Sequence, residues 1–295
     1  MTAKIMTTAA GTVEFETHGH GTPVIIIHGS PGGIDAARAM SRFLTQDRFQ
    51  TICVSRPGYL GTPLDTVDPS IDHEADLLAA VLDEIGVKCA GVLAWSGGGP
   101  AAYRLAVRHP NRVSAIVAIA AASSRWVAPK PTPAQWFMLG TPVGERLIAF
   151  MSKWAPAHIV EETLSGEGSV RGEELHILTQ QVMADPEQRQ LILEIALTVN
   201  TAGKRRAGWQ NDVTNFARID SLDLGRVQCP VLLVHGDADT DASIEYSRSA
   251  HAELPNSTLI VMDQGTHLAF YAHPEASDVQ EQARRWLQSM PYQNV

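Results

Sequence analysis

The sequence predicts an α/β fold: a mostly parallel sheet with helices on both faces, interrupted by one helical insertion. Three observations carry that expectation. Short apolar runs rich in β-branched residues alternate with longer helix-like segments, the order expected where helices cross over between parallel strands. The alternation breaks after Ser124, and residues 126–216 contain helix-like stretches but no convincing strand. At Val231 the strand signal resumes. The chain is therefore read as a core of residues 1–125 and 217–295, with residues 126–216 inserted as a lid.

Val13–Thr17 alternates apolar and polar side chains, as a half-exposed strand does, and Ala3–Thr8 is its expected partner. Val24–Ile27 is an unbroken apolar run, the mark of a strand buried on both faces. Thr51–Ser55, Ala90–Trp95, Val113–Ala118, Val231–His235 and Thr258–Met262 repeat that signal. Between them the core helices are placed at Ile34–Thr45, Ile71–Ile85, Pro100–Arg108, Ser243–Leu254 and Pro274–Met290. Within the insertion, helices are expected over Val143–Trp154, Gly172–Met183 and Pro186–Val199.

Composition excludes several classes. A net charge of −9 argues against a nucleic-acid partner, which needs clustered Lys and Arg; the longest basic run is Lys204-Arg205-Arg206. No stretch approaches the ~20 apolar residues of a membrane helix, so no membrane partner is expected. Three widely spaced cysteines, Cys53, Cys89 and Cys229, suggest neither a disulfide framework nor a zinc site. The first residues carry no apolar block long enough for a secretion signal. The expected setting is the reducing cytoplasm, with no metal.

The strongest local feature is Gly91-Val92-Leu93-Ala94-Trp95-Ser96-Gly97-Gly98-Gly99-Pro100. An apolar strand runs straight into a serine with small residues two positions to either side, then into a helix. A serine held on so tight a turn presents its hydroxyl for attack, and bulky neighbours would stop the backbone closing. The bland alternative is a glycine-rich turn cradling phosphate, but neither the P-loop nor the dinucleotide spacing is present.

A nucleophilic serine needs a base to take its proton and an acid to hold that base. The strand Val231–His235 ends in Gly236-Asp237-Ala238-Asp239, which supplies the acid as Asp239; its neighbours Asp237 and Asp241 are alternatives as solvated loop acids. One helix–strand unit later comes Asp263-Gln264-Gly265-Thr266-His267, which supplies the base as His267. Most of the remaining ten histidines read as surface or packing residues, and His18-x-His20 lacks the companions of a metal site. The loop His28-Gly29-Ser30-Pro31-Gly32-Gly33 follows the strand Val24–Ile27. Backbone N–H groups of Ser30 and Gly97 are assigned as the oxyanion hole, with His28 holding the loop.

At these positions the chain resembles the α/β-hydrolase superfamily, also through Ser55-Arg56-Pro57-Gly58-Tyr59-Leu60-Gly61 and the stretch Gly208 to Asp212. The resemblance implies eight strands, no cofactor and a site between core and lid. Two positions depart from the pattern. Ala94 replaces the first elbow glycine, and Thr240-Asp241-Ala242-Ser243 stands where members commonly carry Val-Pro. The expected activity is hydrolysis of a carboxylic ester of a small, largely apolar molecule. Trp95, Trp126, Trp136 and Phe137 are candidate substrate contacts. A lactonase, a C–C bond hydrolase, an acyltransferase or a proline-releasing aminopeptidase could use the same triad. The aminopeptidase would need lid acids such as Glu161 or Glu162. A catalytically silent ligand-binding member is the non-enzymatic alternative.

Overall fold

The computed structural model describes residues 3–288. Eight strands form one sheet: β1 (Lys4–Thr8), β2 (Gly11–Gly19), β3 (Thr22–Ile27), β4 (Phe49–Val54), β5 (Ala90–Trp95), β6 (Val113–Ile119), β7 (Val231–Gly236) and β8 (Ser257–Met262). Their spatial order is β1-β2-β4-β3-β5-β6-β7-β8. β2 runs antiparallel to β1 and β4, and every other pair is parallel.

The unbroken apolar runs of the central strands are two alternating sets. On β3, Val24 and Ile26 belong to one apolar layer, while Ile25 and Ile27 belong to the other. The first layer holds Ile34, Ala37 and Met40 of α1 (Ile34–Met40) with Val279, Ala283 and Leu287 of α11 (Ala276–Gln288). The second holds Leu78, Val81 and Leu82 of α2 (Ile71–Glu84) with Ala102 and Leu105 of α3 (Gly99–Arg108). A strand so enclosed must be apolar at every position. The edge strands β1 and β8 are partly exposed and read less clearly in sequence.

Six helices lie between β6 and β7: α4 (Pro133–Gly140), α5 (Pro142–Trp154), α6 (Pro156–Gly166), α7 (Gly172–Ala184), α8 (Pro186–Thr198) and α9 (Arg206–Phe216). Leu164, Leu178, Val182 and Ile192 of α6, α7 and α8 pack into the same apolar layer as α1. α4 buries no residue at all. Three of these helices, α4, α6 and α9, lie outside the segments expected from sequence. α4 carried a usable signal, because Thr132 and Gln135 form a capping box around Pro133, the first helical residue. α1 stops at Met40, well before Thr45, where the Ser41 hydroxyl turns back to donate to Arg38 O at 3.1 Å. α10 (Glu245–Glu253) completes the core. The expected last helix extended to Met290, and its final two residues lie outside the described chain.

Candidate active site

β5 delivers Ser96 to the carboxyl edge of the sheet, with the serine itself at φ 53°. That left-handed backbone is disfavoured for a side-chain-bearing residue, by about 1–2 kcal/mol. The glycines that follow answer a different need. A Cβ on Gly97 would stand 2.5 Å from Ser30 Cβ, and one on Gly98 would stand 2.5 Å from Ile27 O. Both serve close approach, since Gly98 has an ordinary helical φ of −79°. Ala94, the departure from the usual elbow, is fully buried among apolar neighbours and accommodates its methyl. Ser96 is half-buried, at the floor of a cleft.

β7 and β8 bring the other two groups together. His267 Nδ1–H donates to Asp239 Oδ2 at 2.7 Å, and both side chains are buried. The other carboxylate oxygen, Oδ1, accepts the backbone N–H groups of Asp241 and Ala242, each at 2.9 Å. His235 Nε2 lies 3.1 Å from Oδ2. Asp237 is exposed, so among the three acids of this loop Asp239 is the one enclosed against the imidazole. Burial opposes the charge of Asp239, but the His267 imidazolium and these hydrogen bonds outweigh it and hold its pKa well below the carboxylate range. Burial likewise disfavours a charged His267, yet the carboxylates of Asp239 and Asp241 push it up to about 10. Trp95 packs its ring 5.3 Å from the imidazole and donates from Nε1 to His267 O at 3.4 Å. The imidazole's free nitrogen, Nε2, lies 3.6 Å from Asp241 Oδ2. No hydrogen bond joins it to the Ser96 hydroxyl among the described residues.

The loop carrying Ser30 is fixed by a buried network. His28 Nδ1–H donates to Gly29 O at 2.7 Å while its Nε2 accepts the Arg56 N–H at 3.0 Å, which sets the neutral tautomer. Burial first, and then the Arg56 charge, hold its pKa well below the ordinary value. Arg56 makes a paired contact with Glu74, at 2.6 and 3.2 Å, and another with Asp212, at 3.0 and 2.8 Å. Asp212 also accepts the Tyr59 hydroxyl at 2.6 Å and the Ser30 hydroxyl. The two segments that share the family resemblance, around Arg56 and around Asp212, thus close on each other. They anchor α9 to the Ser30 loop. The backbone nitrogen of Ser30 lies 3.2 Å from where a Gly97 Cβ would project, so the two N–H bearing segments are adjacent.

A cleft of about 700 Å³ holds Ser30, Trp95, Ser96 and His267 on its core side. Its other wall comes from the helical segment, including Trp126, Trp136, Leu139, Val199 and Val213. Phe137 does not line it, which corrects the expectation for that residue. It is one position along α4 from Trp136, about 100° around the helix, and 43% exposed. Trp136 reaches the cleft while keeping 61% of its surface exposed. The acids lining the cleft are Glu167 and Asp241, not Glu161 or Glu162. Burial and the Asp241 charge push Glu167 up to about 8, against the opposing pull of His267. No sequence motif marked Glu167, Glu74 or Asp212; the last fell only within the stretch noted for its resemblance. Among the described residues, Glu167, Asp241 and His267 form the one compact cluster of potential metal-binding side chains. It shares the His267 imidazole that is hydrogen-bonded to Asp239, and no metal is assigned to it.

Comparison with known proteins places these features in a family. A family model described as alpha/beta hydrolase fold matches residues 22–274. A pimeloyl-acyl-carrier-protein methyl ester esterase of Chromobacterium violaceum is 30% identical over 264 residues, which cover 88% of this chain and 92% of that one. An uncharacterized hydrolase of Bacillus subtilis is 22% identical over 263 residues, covering 88% and 89%. Among solved structures, an alpha/beta hydrolase fold protein from Nakamurella multipartita superposes with a TM-score of 0.95 at 43% identity, covering 98% of this chain and 99% of that one. A thermophilic esterase from Thermogutta terrifontis shares the fold at a TM-score of 0.67 and 21% identity, covering 98% and 99%.

Proposed function

Because the chain belongs to the α/β-hydrolase fold family, we propose that it is a serine-dependent carboxylic ester hydrolase acting on a small, largely apolar acyl compound. Residues 126–216 serve as its lid over the core of 1–125 and 217–295. The observation that carries this reading is the buried 2.7 Å Asp239–His267 hydrogen bond on the wall of the cleft that holds Ser96. The volume and the aromatic and aliphatic walls of that cleft suit an apolar acyl group. The ester-hydrolysing relative supports the bond class.

In this mechanism His267, neutral at Nε2, takes the Ser96 proton as Oγ attacks the carbonyl carbon. Asp239 holds the Nδ1–H tautomer and stabilises the imidazolium that results. The N–H groups of Ser30 and Gly97 receive the developing oxyanion, each such donor being worth about 10²–10³ in rate. His267 then protonates the leaving alcohol, and water, deprotonated by the same nitrogen, releases the acid. The apo separation of Nε2 from Ser96 closes as substrate enters, which is ordinary for such sites.

Hydrolysis of p-nitrophenyl acetate and longer acyl homologues tests the reading. Turnover is expected in the wild type and its loss in Ser96→Ala. A variant that keeps most of its rate contradicts it.

A further inference from the structure

The helical segment meets the histidine and acid loops through one short stretch between α6 and α7. His267 N–H donates to Glu167 O at 2.8 Å, Ser169 N–H donates to Ala238 O at 2.7 Å, and Gly168 forms an isolated antiparallel bridge with Asp239. A Cβ on Gly168 would come within 2.5 Å of Thr266 Cγ2, so the stretch lies hard against the histidine loop. This stitching sets the Glu167 carboxyl beside the imidazole. One oxygen each of Glu167 and Asp241 and a nitrogen of His267 lie within 4.8 Å of one another. Glu167 Oε2 is buried and accepts no hydrogen bond. Asp241 is one of the residues by which this chain departs from the family's usual Val-Pro.

We infer that Asp241 and Glu167 are positioning residues for the proton on His267: Asp241 draws the Nε2–H of a resting imidazolium away from Ser96, and the buried Glu167 carboxyl backs the same ring from the α6–α7 turn. The inference rests on the proposed role of His267 as base. Three carboxyl groups face the ring: Asp239 on Nδ1, Asp241 on Nε2, and Glu167 from the α6–α7 turn. β5 contributes the uncharged Trp95, and the cations Lys130 and Arg206 stand elsewhere on the cleft wall. With Glu167 pushed up to about 8 it is protonated near neutrality, which leaves Asp241 as the charge acting on Nε2. The base is then freed only as pH rises through the raised His267 pKa.

The experiment is a ring-nitrogen NMR titration of the full chain labelled with ¹⁵N-histidine, with His267 assigned through His267→Gln. In parallel, the pH dependence of Ser96 modification by a fluorophosphonate is measured by mass spectrometry. Removing one opposite charge at this range lowers a histidine pKa by about one unit or more. Asp241→Asn is expected to lower the His267 midpoint and the midpoint of Ser96 labelling together by about that amount. Asp241→Ser should do the same, and at 48% side-chain exposure the position tolerates both. Glu167→Gln copies the neutral carboxyl, so it should leave the His267 ring-nitrogen shifts unchanged below pH ~8 and lower the midpoint less than the Asp241 variants do, since only above about 8 does the wild-type carboxylate add its charge to the ring. If both Asp241 variants leave the NMR midpoint in place, the inference is overturned even with Ser96 reactive. If the midpoint moves but Ser96 is never labelled, the proton assignment stands and the serine mechanism fails.

Discussion

Two groups of charged side chains are drawn into the interior, one behind the Ser30 loop and one around His267, and they are resolved differently. Around Arg56, each guanidinium edge meets a carboxylate, and Asp212 takes two hydroxyl groups besides. Around His267, Asp239 accepts two backbone N–H groups and the imidazole, but the far side of the ring faces a 3.6 Å contact and an unpartnered Glu167 oxygen. A closed network fixes position. An open one leaves a proton free to move. The Arg56 cluster holds the Ser30 loop and α9 in place, while the His267 cluster opens onto the cleft that also holds Ser96.

That contrast orders the expected effects of substitution. Ser96→Ala should lower ester turnover by about 10⁶ with little change in the melting temperature. Asp239→Asn should lower it by about 10⁴, because the amide favours the wrong imidazole tautomer. Kinetics and melting measured on the same samples check both, and a large loss of stability in either would blur the division between the clusters. Asp212→Ala should do the reverse and cost about 3–5 kcal/mol of stability by leaving the buried Arg56 charge half-paired, as urea denaturation would read. A melting curve unchanged by that substitution would mean the Arg56 network is not what secures the loop.

Smaller effects come from the open cluster. Glu167 is pushed up to about 8, so its folded state binds a proton that the unfolded chain releases near the usual 4.5. Stability from this group therefore declines as pH rises between about 4.5 and 8. Glu167→Gln removes that decline and should raise the melting temperature at pH ~8 by about 2–4 °C, with less gain in acid. His267 works in the same sense at higher pH, its contribution fading as pH rises through about 10. Last, Trp136→Ala should raise KM for long acyl chains about tenfold or less with kcat nearly unchanged, since the ring forms wall and touches no reacting group.

What was legible in the sequence follows the same division. Ser96, Asp239 and His267 each stand where an apolar strand runs out into a loop, and strand periodicity is a local signal. The enclosed strands β3, β5, β6 and β7 were legible for the same reason, down to nearly their end residues. The Arg56–Asp212 pairing was not, because it joins positions 156 residues apart and no periodic pattern links them. Glu167 lies in a turn whose role is set by backbone bonds to two distant loops, again without local trace. For Phe137 the composition of α4 announced an apolar helix but not its direction. Which of two adjacent aromatic residues enters the cleft depends on how the helix is docked.

In the proposed mechanism the Ser96 oxygen becomes covalently acylated with His267 as its base. Rapid acid quench of the enzyme during turnover of a p-nitrophenyl ester, followed by peptide mass spectrometry, tests it most directly. An acyl group is expected on the peptide containing Ser96, absent from Ser96→Ala and strongly reduced in His267→Gln. An acyl group on another residue, or steady turnover in Ser96→Ala, would contradict it.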